Sequence, residues 1–70
     1  MSTNASVVPV PQEVVIDDRG HALRATWHRE ELILVLSTWH DGTCTSSVRL
    51  APADAARLGA CIMAALADAG

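Results

Sequence analysis

Three histidines and two cysteines are the residues of this chain best equipped for chemistry, His21, His28 and His40 as ligands or proton carriers and Cys44 and Cys61 as thiolates. Their spacing argues against both uses. There is no CxxC pair and no Cys/His pair at zinc-finger separation, and no two of these residues stand at ligand spacing on one element, so two small buried thiols with no metal and no cofactor are expected. Nucleophilic attack by Cys44 would need a histidine base within hydrogen-bond reach. His40 is near it across a hairpin, but strand alternation turns Cys44 toward the interior. Asp17-Asp18 and Glu30-Glu31 are adjacent carboxylates in turns, where solvated charge is the ordinary state; neighbours on a strand point to opposite faces and form no acid/base pair. The expectation is a protein that is not an enzyme.

Binding is the remaining class. The Thr-Trp-His triplet occurs at Thr26-Trp27-His28 and again at Thr38-Trp39-His40, and Trp27 and Trp39 are the chain's aromatic rings besides the histidines. Arg24, His28, Trp39 and Arg49 fall on one sheet face with Ile33 and Val35. Arginine beside an aromatic platform is how several single-strand binders hold bases and phosphates. The net charge of −3, with five arginines and no lysine, weighs the other way, because nucleic-acid affinity is dominated by phosphate neutralisation. A protein partner on the Ile33, Val35, Trp39 stripe is therefore the first expectation, and single-stranded nucleic acid the alternative.

The elements that position these residues follow from periodicity. Residues 1–12, with Pro9 and Pro11, read as a mobile tail ahead of one domain over 13–70. Strands are expected over about 13–17, 21–28, 31–39 and 43–50, in an antiparallel meander of three to four strands. Arg29-Glu30 reads as a tight turn that sets Trp27 opposite Leu32 and Ala25 opposite Leu34. His40-Asp41-Gly42 suits a three-residue loop closed by a left-handed glycine, which sets Leu34 opposite Val48 and Leu32 opposite Leu50; a two-residue Asp-Gly loop would instead set Arg49 against Leu34. In this register Val15, Leu23, Ala25, Trp27, Leu32, Leu34, Leu36, Cys44, Val48 and Leu50 form a core face.

Ala51-Pro52 ends the sheet and starts a helix over about 52–67, with Pro52 suited to its first position and Asp54 to the positive end of its dipole. Leu58, Ile62 and Leu66, joined by Cys61, Ala65 and Ala69, make the stripe expected to cover the core face. The helix back is also poor in charge. Ala56, Gly59, Ala60, Met63 and Ala64 would let a second copy approach closely. Seventy residues bury a small fraction of their surface and need a disulfide, a metal or another subunit for support. A homodimer is expected on that ground. The start of the chain lacks a charged segment followed by an apolar one, and its longest nearly uncharged run, Leu58 to Ala67, is half a membrane span. A cytoplasmic protein away from the membrane is expected.

The segment LRATWHREELILVLSTWHDGTCTSSVRLAPADAARL, Leu23 to Leu58, resembles a group of short uncharacterised actinobacterial proteins. The shared features are a Leu-Arg-x-x-Trp-His strand, a Leu-Ser-x-Trp strand, a Cys after the hairpin and an Arg-Leu-x-x-x-Asp-Ala helix start. The resemblance implies no activity. More distantly, strands followed by one C-terminal helix are similar to the transcriptional coactivator fold that binds single-stranded DNA as a homodimer. That family's DNA-facing strands are rich in lysine and arginine. What the likeness implies for this acidic, lysine-free chain is the dimer.

Overall fold

The computed structural model describes residues 11–70, so most of the tail expected over 1–12 lies outside the described residues. The fold is α+β. Strands β1 (Gln12–Ile16), β2 (His21–His28), β3 (Ile33–His40) and β4 (Thr43–Leu50) form one open antiparallel sheet in the order β1-β2-β3-β4, followed by helix α1 (Pro52–Ala69). The sheet edge begins at Pro11, whose carbonyl accepts the Trp27 N–H at 3.1 Å. No helix among the described residues is long and apolar enough to cross a membrane.

The three hairpins turn by three different devices. The first uses Asp18-Arg19-Gly20, with Gly20 left-handed at φ 85°. Asp17 ties it together: its Oδ1 accepts the N–H groups of Arg19 and His21, each at 2.9 Å, and its Oδ2 accepts from the Arg19 guanidinium at 3.2 Å. Donors converging on a carboxylate favour its charged form. The His21 N–H foremost, helped by the N–H and guanidinium of Arg19, holds Asp17 below the usual carboxylate value, outweighing the desolvation that opposes it.

The second hairpin corrects the expected Arg29-Glu30 turn. Neither residue suits the left-handed positions of a two-residue loop, and the chain instead turns over Arg29–Leu32, with the Leu32 N–H donating to the Arg29 carbonyl at 3.3 Å. Leu32 takes the left-handed conformation at φ 54° and is 58% exposed, so it leaves the expected core. Trp27 then pairs with Leu34 and Ala25 with Leu36. A shift of two residues leaves every side chain on its expected face.

The third hairpin is the two-residue loop that the sequence reading set aside. Asp41 and Gly42 both have positive φ, 52° and 77°, and His40 pairs with Thr43. The apolar match is recovered four residues further on. A bulge beside Thr38 and Trp39 leaves Thr45 without a partner and moves the register by one, so that Leu36 meets Val48 and Leu34 meets Leu50. Ahead of the bulge the alternation runs the other way. Cys44 therefore lies opposite Trp39 rather than in the core, and it is exposed.

Packing departs most from expectation at the helix. It packs on β3 and β4, and Ala55 and Gly59 are its half-buried residues while the rest of the helix is exposed. Ile62 and Leu66, expected over the core face with Leu58, are 49% and 60% exposed. Ala51 is the single residue linking β4 to the helix, in extended backbone at φ −68° and ψ 158°. That link sets the direction of the helix, and its apolar stripe is left largely uncovered. Among the described residues no apolar side chain is buried, and the one buried residue is Ser37 at 6% exposure.

Two measurements check these turns. Because the folded-state value of Asp17 is depressed, its stabilisation of the first hairpin is present above the unfolded carboxylate value and is lost as pH falls through the folded one. Carbon-detected NMR titration is expected to give Asp17 a midpoint below the ordinary carboxylate range, with the His21 amide losing exchange protection over the same interval. Leu32→Gly is expected to raise stability by about 1 kcal/mol, the order of the left-handed penalty of a residue with a Cβ less the entropy cost of glycine. Denaturant unfolding reads this change, and a loss instead would mean that the Leu32 side chain is packed against something.

Candidate interaction face

Pairing across the sheet sorts the side chains into rows. On one face Trp27, Leu34 and Leu50 form a row, Ala25, Leu36 and Val48 the next, and Leu23, Thr38 and Ser46 a third. The other face carries His28 beside Ile33, then Thr26, Val35 and Arg49, then Val14, Arg24, Ser37 and Ser47, and finally Ile16, Ala22, Trp39 and Cys44. Arg24, His28, Ile33, Val35, Trp39 and Arg49 therefore share one face.

Within that face Arg24, Ser37 and Trp39 form one connected unit. The Trp39 indole Nε1 donates to Ser37 Oγ at 2.9 Å, and Ser37 Oγ lies 3.5 Å from the Arg24 carbonyl oxygen, to which it can donate. The Arg24 guanidinium carbon sits 4.6 Å from the centroid of the Trp39 ring. A cation over an indole face is attracted by the ring quadrupole, more strongly where water is excluded. Burial of the Ser37 hydroxyl is explained by the same unit, since a buried polar group is costly unless it is hydrogen-bonded. Arg24 Nε is buried with no hydrogen-bond partner.

The remaining residues of the face stand apart. Arg49 is engaged with Glu31, Nη2 to Oε1 at 3.4 Å, and both side chains are well exposed. His28 is exposed at the far end of β2, away from Trp39. Thr26 Oγ1 donates to Gln12 Oε1 at 3.3 Å, tying β1 to β2 beside Val35. On the helix back Ala56, Ala60, Met63 and Ala64 are exposed, whereas Gly59 is half-buried and so separates from them.

The expected burial of the two thiols is not found: Cys44 and Cys61 are both exposed. The β4 bulge turns the first outward, and the second lies on a helix that little covers. Sequence reasoning also missed a pair on the opposite sheet face. His21 and His40 are cross-strand partners whose rings stack at 4.4 Å and 24°. Their juxtaposition depends on the β2–β3 register, which the sequence reading set two residues away. Among the described residues no three His, Cys, Asp or Glu side chains converge on one point. The geometry is that of one held aromatic ring with an arginine over it on a mixed sheet face.

Ser37→Ala is expected to cost about 1 kcal/mol by denaturant unfolding, because it strips the indole N–H of its acceptor. Arg24→Met is expected to cost about 0.5 to 1 kcal/mol and to alter Trp39 fluorescence, the cation having left the ring.

Comparison of the chain with protein-family models, with curated proteins and with solved structures gave no match, so the reading of its function rests on the sequence and this geometry.

Proposed function

We propose that the chain is a non-enzymatic interaction module, small and regulatory in character, that works in the cytoplasm as a homodimer and binds a protein partner. One observation carries the homodimer. Ten large apolar side chains, from Val14 on β1 to Leu66 on the helix, are 40 to 70% exposed, while none among the described residues is buried. Ordering a residue costs on the order of 1 to 2 kcal/mol in backbone entropy, and apolar burial is the main term opposing that cost. A single copy with this exposure has little of that term, and a second copy would add to it. The distant likeness to the dimeric coactivator fold points to the same reading.

The protein-binding face is the one that holds Arg24, Ile33, Val35 and Trp39. A ring fixed by a hydrogen bond and by a stacked arginine is an anchor that loses little side-chain entropy on binding, and Trp and Arg dominate interface energetics. Single-stranded nucleic acid is the second reading, favoured by Arg24 standing on Trp39 without a carboxylate partner among the described ion pairs. It ranks lower because Arg49 is already paired with Glu31 and the chain's net charge is −3.

Sedimentation velocity across a dilution series is expected to give a dimer, with circular dichroism and dimer content falling together as the protein is diluted. A monomer that keeps its circular dichroism at the lowest concentration would overturn the homodimer. Titration with oligo-dT in low salt is expected to leave tryptophan fluorescence unchanged; salt-sensitive quenching would promote the nucleic-acid reading.

A further inference from the structure

The end of the sheet opposite His28 brings together the groups best able to hold a metal ion. His21 opens β2 and His40 closes β3. They are cross-strand partners, so their side chains leave the same face, and their rings stack with centroids 4.4 Å apart. Solvent reaches both, His21 being exposed and the His40 side chain 43% exposed. His40 Nδ1 lies 3.6 Å from Asp41 Oδ2. A carboxylate at that position favours the tautomer with its proton on Nδ1 and leaves the Nε2 lone pair free, which is how ligating histidines are commonly held. The two turns that flank the pair carry Asp17, Asp18 and Asp41 against the single cation Arg19, and a local excess of negative charge attracts cations.

We infer that His21 and His40 form a two-nitrogen clip for a divalent ion of the zinc, nickel and copper class, the ions that imidazole suits. Metal–nitrogen bonds of about 2.0 Å set two ligand nitrogens about 3 Å apart. Nε2 lies at the far end of each side chain, so a tilt of the two rings toward each other closes the distance that stacking leaves. No third His, Cys, Asp or Glu joins them among the described residues, and water completes the coordination. The ion would tie β2 to β3 at the open end of the sheet. Metal is one of the supports on which small chains rely, and this chain buries no apolar side chain among its described residues. The clip lies on the sheet face opposite Trp39 and does not rest on the function proposed above.

The test is a titration of the full chain, thiols reduced, with zinc sulfate, followed by NMR of the histidine ring nitrogens and the cysteine Cβ carbons. The rings of His21 and His40 are expected to shift together along one binding curve, with the ring of His28 unmoved. His21→Ala and His40→Ala are each expected to weaken zinc binding at the remaining ring at least about tenfold, since even the outer partners of a metal ligand cost that much. Zinc is also expected to raise the thermal unfolding midpoint of the wild type, because a ligand of the folded state stabilises it, and to leave that of the variants in place. Zinc that shifts only the exposed Cys44 or Cys61 signals overturns the clip, as does a His40 ring that binds equally well in His21→Ala. A response shared equally by His28 means adventitious imidazole binding only, and overturns it too. Should either variant fail to fold, the wild-type titration decides by itself.

Discussion

A strand that is apolar on both faces has to be covered on both faces, and the structure depends on how that demand is met. Residues Ile33 to Leu36 of β3 are half-buried whichever way they point, because β3 lies between two neighbours that shield its edges but not its faces. One short helix can lie over one face at most. Here it packs only on β3 and β4, and most of its apolar surface remains open. The apolar surface the chain presents thus exceeds the cover that a single copy contains. Self-association and partner binding are two answers to that one deficit.

The division of the sheet into two unlike faces was legible in the sequence because it depends on parity alone. The β2–β3 and β3–β4 pairings both differ from expectation by two residues over most of their length, and Trp27, Leu34 and Leu50 still share a face, as do Arg24, Val35 and Arg49. The helix start at Pro52 was legible for a similarly local reason, since proline is tolerated at the first helical position and little further in. Three things were hidden. The bulge at Thr45 sits in the polar run Thr43-Cys44-Thr45-Ser46-Ser47, where any residue could have been the extra one. Leu32 in a left-handed conformation contradicts its own preference, and a strand was the natural reading of it. The amphipathic stripe of the helix says which side wants cover and says nothing of which chain supplies it.

The candidate site shows the same limit at closer range. Shared parity placed Arg24 and Trp39 on one face, but their stacking spans a diagonal between adjacent rows and needs the actual register. Ser37 is a polar residue in an apolar strand, and nothing in its type marks it out. It turns out to hold the indole in place, which is why a hydroxyl is the most buried residue of the structure. A polar group at such a position makes the orientation of the ring specific at little cost, since its hydrogen bond is complete.

The Thr45 bulge has a consequence for how the sheet can grow. Both edges of an open sheet offer unpaired backbone groups, and a flat edge would let copies add strand to strand without limit. A bulge twists β4 and interrupts its donor and acceptor row, while β1 at the other margin is only five residues long and offers few groups to pair with. With both margins blunted, any association between copies would be directed to the faces, where a two-fold contact closes on itself and stops at a fixed number of chains rather than running on as a fibre.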